Sequence, residues 1–401
     1  MVGINKQQVR VGMIGYQFMG KAHSHAYRDI PFFFDEGCEP IQQAIAGRNE
    51  EAVKEAASVL GYASYETDWR TLIERDDIDL VDIVTPNNTH TEMAIAALEA
   101  GKHVLCEKPL ALSLLDAERM LEVAEKSNTI HMVSHNYRYA PAVQYAKKLI
   151  DEGRLGKIFH VRAQYLQDFI MDPSFPLVWR LKKEVTGSGA LGDIGAHIID
   201  LSRFLVGEMK EVNGMLETFV KQRPIGEMSG GLSASVDSEE MGEVTVDDAA
   251  IFMSRFENGA LGIFEATRFA AGNRNANRFE INGEKGSIRW DLENMNNLEV
   301  FFTDDEEGLQ GFRTINCTEE VHPYIRAYWP AGHIIGYEHT FLNMISELMK
   351  GIKNGYSPKP NFEDGAKNQA VLEAVQQSNE TGGWVNIAQL REQVRRELTH
   401  S

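Results

Sequence analysis

The chain has 401 residues, more than one hydrophobic core usually organises, so we expect two domains. Its formal net charge of −19 disfavours non-specific binding to nucleic acid. No apolar run reaches the ~18 residues of a membrane span, and no apolar signal segment follows Met1, which predicts a cytoplasmic protein without a membrane partner. Cys38, Cys106 and Cys317 are too scattered for a disulfide framework or a zinc site.

Short apolar runs alternate with amphipathic, helix-length segments in the first third of the chain. The predicted strands are 9–14, 41–46, 63–65, 80–84, 103–106 and 130–134, and the predicted helices are 19–29, 50–60, 69–75, 89–99 and 114–127. Because these runs are apolar on both faces, they indicate a parallel sheet covered by helices on two sides. We therefore predict a doubly wound Rossmann domain over residues 1–135.

The turn between the first predicted strand and helix resembles a dinucleotide-binding loop. It reads Gly15-Tyr16-Gln17-Phe18-Met19-Gly20. The first glycine permits a tight turn, the last allows close packing of helix and strand, and the helix N-terminus would face a pyrophosphate. Gln17 stands where a glycine usually lets the phosphates approach, and an ordinary strand-turn-helix is the alternative. We predict that all six residues line a dinucleotide site.

The segment after the second predicted strand bears on the choice of cofactor. A carboxylate there would accept hydrogen bonds from the adenosine ribose, but this chain has Ala46-Gly47-Arg48-Asn49. Arg48 can pair with a 2′-phosphate, whereas a solvated Arg48 would favour neither cofactor. The sequence therefore predicts NAD(P)(H) and leaves NAD versus NADP open.

Polar residues also follow the fourth predicted strand. Ligands of open α/β sheets bind along the carboxyl edge of the strands, so we expect cofactor contacts from this segment. The expected contacts are Thr85, Pro86, Asn87 and His90. Asn88 and Thr89 are better explained as helix caps.

After residue 136 the pattern changes to longer strand-like segments. A helix over 142–152, a strand over 158–167 and a helix over 193–205 come first. Strands over 244–256 and 260–269 flank the Asn258-Gly259 turn, strands over 278–281 and 286–291 follow, and helices over 333–350 and 363–378 precede a charged tail. We predict an α+β domain over residues 136–401 with a large, mostly antiparallel sheet.

Three residues in two separate segments carry the groups that remove a proton from an alcohol. Lys108 follows a buried apolar run, and Asp193 and His197 lie four residues apart on one face of a predicted helix. Neutral His197 would accept the hydroxyl proton, Asp193 would bind the substrate or orient His197, and Lys108 would stabilise alkoxide character. The alternative is a strand-end lysine and a helix-surface pair. The chemistry needs no metal, and His23 and His25 supply too few ligands for one.

These segments resemble the Gfo/Idh/MocA oxidoreductases, which include glucose–fructose oxidoreductase and inositol dehydrogenase. The resemblance lies in residues 11–20, in residues 100–111 with Glu107-Lys108-Pro109, and in residues 192–200 with Asp193 and His197. It implies reversible hydride transfer between NAD(P)(H) and a sugar or polyol carbon, with pyranose C3 as the favoured position. It also implies a homodimer or homotetramer and a cis bond before Pro109.

The resemblance adds further candidate residues. Contacts with the cofactor are expected from Glu107, Lys108, Asn136, Trp179 and Arg180. Contacts with the substrate are expected from Lys108, Tyr165, Arg180, Asp193, His197, His333 and Tyr337. For Trp179 and Arg180, packing between domains is an equal alternative.

Three functions are compatible with these features. The first is an NAD(P)-dependent dehydrogenase acting on a ring hydroxyl of a sugar, anhydrosugar, glycoside or inositol. The second is redox-neutral glycoside cleavage, in which temporary oxidation labilises a substituent. The third is a sugar or nucleotide sensor, against which the joint presence of Lys108, Asp193 and His197 argues.

Overall fold

The structure is a computed structural model that describes residues 6–35, 37–226 and 238–400. Its internal contacts divide the chain into two compact units. The first comprises Met1–Ala111, Asp116–Ala140 and Tyr324–Ala366, and the second comprises Leu112–Leu115, Pro141–Pro323 and Lys367–Ser401. This division differs from a single boundary near residue 136, because the segment from Tyr324 to Ala366 returns to the first unit.

The first third of the chain forms strands and helices in alternation. The strands are β1 (Gln8–Ile14), β2 (Glu39–Ala46), β3 (Ser64–Glu66), β4 (Leu80–Ile83), β5 (His103–Glu107) and β6 (His131–Ser134). The helices are α1 (Phe18–Phe33), α2 (Glu50–Leu60), α3 (Trp69–Glu74), α4 (His90–Glu99) and α5 (Leu114–Lys126). The strands pair in parallel in the order β3-β2-β1-β4-β5-β6, which confirms the doubly wound sheet.

The rest of the described chain combines strands with helices. The strands are β7 (Ile158–Leu166), β8 (Met209–Glu217), β9 (Gln222–Pro224), β10 (Met241–Glu243), β11 (Ala249–Phe256), β12 (Leu261–Thr267), β13 (Ala276–Gly283), β14 (Gly286–Asp291), β15 (Asn297–Phe302), β16 (Arg313–Asn316) and β17 (Val385–Asn386). The helices are α6 (Pro141–Asp151), α7 (Lys183–Thr186), α8 (Ala196–Val206), α9 (Glu338–Asn354), α10 (Phe362–Thr381) and α11 (Ile387–His400). The segment predicted as a charged tail forms α11 over residues 387–400.

Helix α9 completes the core of the first unit. Its side chains Phe341 and Leu348 are buried in one cluster with Val11 of β1 and Tyr27 of α1. The helix begins at Glu338, so the predicted start at residue 333 is wrong. A helix distant in sequence thus covers α1, the helix that follows the predicted dinucleotide loop.

A nine-stranded sheet organises the second unit. Its order is β16-β15-β14-β13-β7-β12-β11-β8-β17, and every pair is antiparallel except β7 with β12. Alternate residues of β11 are buried and exposed, so one face of the sheet carries the core. The predicted α+β architecture is confirmed. Within the described part of the chain, no helix has the length and hydrophobicity to span a membrane.

Candidate active site

The predicted dinucleotide loop forms a tight turn between β1 and α1. Gly15 has φ +107°, and a Cβ placed there would lie 3.0 Å from the main-chain oxygen of Val84. A Cβ on Gly20 would lie 2.9 Å from the main-chain oxygen of Gly15. Both positions therefore require glycine, one for its backbone conformation and both for close packing.

The N-terminus of α1 fits a pyrophosphate. Gln17 is the N-cap, with an extended backbone at φ −74°, and its exposed side chain makes no capping hydrogen bond. No acidic residue occupies the first turn, which starts at Phe18 and Met19. The first N–H groups and the positive end of the helix dipole thus remain for an anion. Because φ is negative at Gln17, the turn itself needs no glycine there.

Tyr16 and Arg48 lie near the end of β2. A Cβ on Gly47 would lie 2.2 Å from Cε1 of Tyr16, so this glycine makes room for the ring. Arg48 is exposed, whereas Asn49 caps α2 by accepting a hydrogen bond from the N–H of Ala52 at 3.0 Å. An exposed arginine at this strand end is compatible with either form of the cofactor.

The turn after β4 is held by its own side chains and by His90. Oγ1 of Thr85 lies 2.6 Å from Oγ1 of Thr89, which donates to the carbonyl of Pro86 at 2.7 Å. His90 is fully buried, with Nδ1 3.0 Å from the carbonyl oxygen of Pro109 and Nε2 2.9 Å from that of Thr85. Both ring nitrogens thus face main-chain oxygens and join the turns after β4 and β5, and contact between His90 and the cofactor stays a prediction.

The turn after β5 carries the Glu107-Lys108-Pro109 sequence. The Lys108–Pro109 peptide bond is cis, as the family resemblance predicts. Lys108 is half-buried and its N–H donates to Oε2 of Glu107 at 3.1 Å. Glu107 was expected at the cofactor, but its buried carboxylate contacts the Lys108 main chain and His23, where Nε2 lies 3.0 Å from Oε1.

His23 is a residue whose importance the sequence did not reveal. Its Nδ1 lies 2.9 Å from Oδ2 of Asp82, and both side chains are fully buried. Burial opposes a charge on the imidazole, but the carboxylates of Asp82 and Glu107 outweigh it and raise the pKa of His23 to about 10. The same imidazolium lowers the pKa of Glu107 against the effect of burial. A carboxylate inside the apolar strand β4 was the sequence signal for such a partner.

Three further candidate residues of the first unit, Asn136, Tyr337 and His333, differ in their burial and in their contacts. Asn136 is buried and donates from Nδ2 to Oγ1 of Thr340 at 2.8 Å. The ring of Tyr337 lies 6.1 Å from that of Tyr137, centroid to centroid, and burial raises the pKa of Tyr337. His333 is exposed, and its Nδ1 lies 2.8 Å from the carbonyl oxygen of Pro330. These positions leave substrate binding by Tyr337 and His333 as predictions.

In the second unit, Asp193 lies in a wider helical turn than predicted. Residues Leu191–Gly195 are π-helical and α8 begins only at Ala196, which corrects the prediction of one regular helix. Single π-helical turns are frequent at functional sites. A guanidinium nitrogen of Arg268 lies 3.7 Å from Oδ2 of Asp193, whose side chain is 32% exposed.

Asp247 supports the same turn from the inside. Its buried carboxylate accepts hydrogen bonds from the N–H of Gly189 at 2.7 Å and of Leu191 at 2.8 Å. Its carbonyl accepts a 3.2 Å hydrogen bond from Arg268, which is 1% exposed. Asp247 thus fixes the backbone before Asp193, and Arg268 connects both aspartates.

His197 lies beside Tyr165, another predicted substrate contact. The two ring centroids are 5.8 Å apart, and the hydroxyl of Tyr165 donates to Oδ1 of Asn275 at 2.6 Å. Elsewhere in this unit, the guanidinium of Arg180 stacks 4.3 Å from the ring of Trp179, which is 36% exposed. The indole of this pair is exposed and can receive a flat ligand.

The sequence of the chain matches two family descriptions. Residues 9–135 match "Oxidoreductase family, NAD-binding Rossmann fold", and residues 143–289 match "GFO/IDH/MocA C-terminal domain". The chain belongs to the Gfo/Idh/MocA oxidoreductase family. The predicted family, the dehydrogenase class and the nicotinamide cofactor are thereby confirmed, with NAD versus NADP still open.

Individual members of this family are similar over nearly the whole chain. Levoglucosan dehydrogenase of Pseudarthrobacter phenanthrenivorans is 44% identical over 390 residues, which are 96% of this chain and 99% of that protein. Myo-inositol 2-dehydrogenase of Thermotoga maritima is 30% identical over 357 residues, 89% of this chain and 92% of that protein.

Solved structures of family members have the same fold. An oxidoreductase domain protein from Kribbella flavida has TM-score 0.91 and 52% identity, covering 95% of this chain and 99% of its own. A levoglucosan dehydrogenase in complex with NADH and levoglucosan has TM-score 0.90 and 43% identity, covering 95% of this chain and 100% of its own. The roles of individual residues stay predictions. Among the described residues, no group of three or more side chains has the composition and spacing of a metal site.

Proposed function

We propose that this oxidoreductase oxidises a secondary ring hydroxyl of a pyranose or anhydrosugar, at C3, with Lys108, Asp193 and His197 as its catalytic set. The supporting observation is the 44% identity to levoglucosan dehydrogenase over 96% of the chain. Such similarity over the whole length includes the segments that carry all three residues. An anhydrosugar is therefore the substrate class we favour.

In the proposed reaction, the loop over residues 15–20 and the N-terminus of α1 would hold a nicotinamide dinucleotide, which would supply hydride transfer when bound. His197 takes the hydroxyl proton through its imidazole, whose ring contacts that of Tyr165. Asp193 accepts a hydrogen bond from a sugar hydroxyl, and Arg268 holds its carboxylate. Lys108 places its ammonium near the sugar oxygen as negative charge develops there.

A panel experiment tests this proposal. Purified protein is mixed with NAD+ or NADP+ and with levoglucosan, pyranoses, methyl glycosides or inositols, and reduced nicotinamide is followed by absorbance. We expect substrate-dependent reduction with the highest kcat/KM for a pyranose or anhydrosugar. No reduction with any sugar would contradict the proposal, and loss of a glycoside without net reduction would favour redox-neutral cleavage instead.

We also propose that the protein is a homodimer or homotetramer that buries the open face of the nine-stranded sheet. Exposed apolar residues lie together on β8, β11 and β12, where Met215 pairs with Ile251 and Met253 with Ile263. These four side chains are 46–65% exposed, and Leu261 of the same strands is 47% exposed. A contiguous apolar patch of this kind marks a protein interface.

Light scattering after gel filtration tests this proposal. We expect the wild-type protein to be a dimer or tetramer and Ile263→Asp to lower the mass toward that of one chain. Leu309→Asp serves as the control, because Leu309 is an exposed apolar residue outside these strands. A monomeric wild-type protein, or equal masses for all three proteins, would contradict the proposed interface.

A further inference from the structure

His23 lies between two buried carboxylates of the first unit. Its Nδ1 is 3.1 Å and 2.9 Å from the two oxygens of Asp82, and its Nε2 is 3.0 Å from Oε1 of Glu107 and 3.3 Å from Oγ of Ser134. The imidazole ring also lies near Phe341, with the two ring centroids 5.4 Å apart. Since each ring nitrogen faces a carboxyl group, the geometry fits an imidazolium that donates on both sides.

Stability alone does not explain this cluster. Burying an ion pair costs desolvation free energy that its attraction only partly recovers, and apolar residues of similar volume are often as stable. His23, Asp82 and Glu107 are all buried. Fixed charges of this kind instead hold neighbouring groups in one arrangement.

The neighbouring group is Lys108. Oε1 of Glu107 accepts from His23, while Oε2 accepts from the main-chain N–H of Lys108 at 3.1 Å. One carboxylate thus joins α1, which carries His23, to the residue that follows β5. On the other side of the imidazolium, the carboxylate of Asp82 on β4 accepts from Nδ1 of His23.

We propose that His23 is a positioning residue for Lys108, because it fixes the Glu107 carboxylate that receives the main-chain N–H of Lys108. The inference rests on the catalytic role proposed for Lys108. It gives the Glu107 side chain a function in placing the lysine, and it explains why a charged histidine lies on the helix that follows the dinucleotide loop.

A matched pair of variants tests this role. Glu107→Gln and Asp82→Asn each remove one charge beside the same imidazolium. Asparagine keeps one carbonyl oxygen for His23, whereas glutamine has a single acceptor oxygen for two donors, His23 and Lys108. The positioning role therefore predicts unequal effects on catalysis from these two otherwise similar changes.

The measurements are kcat, the KM for the sugar, NADH affinity from fluorescence titration, and the melting temperature of the full chain. We expect Glu107→Gln to lower kcat by about 10- to 100-fold with little change in KM, as displacement of a reacting group does, and Asp82→Asn to retain most of kcat. Both variants should melt at lower temperature. Equal kcat values for the two variants would contradict the proposal.

A second measurement does not depend on the stability of the variants. Wild-type protein labelled with 13C at Cε1 of histidine is titrated from about pH 6 to about pH 9 with NMR detection. We expect one resonance, absent in His23→Gln, to keep the imidazolium shift throughout, and a neutral His23 would contradict the proposal. If the wild-type protein oxidises no sugar, the proposed function fails, while this titration still shows whether His23 is held between its carboxylates.

Discussion

Each unit contains a cluster of buried charged side chains, and the two clusters hold their functional residue in different ways. In the first unit, His23 lies between Asp82 and Glu107, and the cluster reaches Lys108 through a main-chain N–H. In the second unit, Arg268 contacts Asp193 directly, and the side chain of that carboxylate is one-third exposed. The comparison shows two ways to place a functional group, by its backbone in one unit and by its side chain in the other.

Removing the functional groups themselves should have the largest effect. Lys108→Ala and His197→Ala should each lower kcat by about 100- to 10,000-fold, because general acid–base and electrostatic contributions have this size. Initial rates with the best sugar of the panel measure the effect. Lys126→Ala is the control, since Lys126 is an exposed residue paired with Glu122. Near-normal rates in both variants would eliminate these residues from the mechanism.

Changing Arg268, which contacts the carboxylate of Asp193, should have a smaller effect. Arg268→Met removes the guanidinium 3.7 Å from the carboxylate, and we expect kcat/KM for the sugar to fall by about 10- to 100-fold. Loss of its buried hydrogen bond to Asp247 should lower the free energy of unfolding by about 1–3 kcal/mol. Kinetics and urea unfolding measure both quantities. A stability loss with unchanged kcat/KM would make Arg268 purely structural.

Substitution of Arg48 should have a more modest effect, on the preference between NADP+ and NAD+. Arg48→Asp removes a cation that can pair with a 2′-phosphate and supplies a carboxylate that can accept from a ribose hydroxyl. The ratio of kcat/KM for NADP+ to that for NAD+ should fall by about tenfold or more, an effect of about 1.4 kcal/mol. Arg70→Asp, at an exposed arginine paired with Glu92, is the control. An unchanged ratio would show that Arg48 does not face the cofactor.

The buried imidazolium should also affect stability, as a slope of the free energy of unfolding with pH. The pKa of His23 is about 10 in the folded protein and about 6.5 when unfolded, so only the folded state holds this proton between those values. The stabilisation is complete below the unfolded pKa and is lost as pH rises toward about 10. The free energy of unfolding should therefore fall by up to about 1.4 kcal/mol per pH unit from about pH 7 to about pH 9.

Urea unfolding at several pH values measures this slope. His23→Gln has no such proton, so its slope over the same range should be shallower than that of the wild-type protein. Identical slopes in the two proteins would contradict a charged His23.

Local patterns predicted most of the elements. The helix over 50–60 and the strand over 286–291 have the predicted bounds, because caps, turns and apolar periodicity mark both ends. The predicted strand over 244–256 is wrong in its first part. There Asp247 turns its carboxylate to the N–H groups of Gly189 and Leu191, and β11 begins only at Ala249. The partner segment is distant in sequence, so no local pattern could show this.

The sequence predicted those site residues whose role follows from a local pattern. It did not predict those whose hydrogen-bond partners lie far away in the sequence. Gly15 and Gly20 were recognised from the loop alone, since turn geometry is local. His23 was not recognised, because its partners Asp82 and Glu107 lie on two other elements. Their presence in apolar strands was the available signal, since a buried carboxylate requires a donor.

The most direct test of the central claim uses levoglucosan labelled with deuterium at C3. The labelled sugar is oxidised by the wild-type protein with NAD+ or NADP+, and the reduced nicotinamide is analysed by mass spectrometry. We predict transfer of the deuterium to the nicotinamide ring and a slower reaction than with the unlabelled sugar. Reduced nicotinamide without deuterium would contradict oxidation at C3, and absence of any reduced nicotinamide would contradict the proposed dehydrogenase reaction with this sugar.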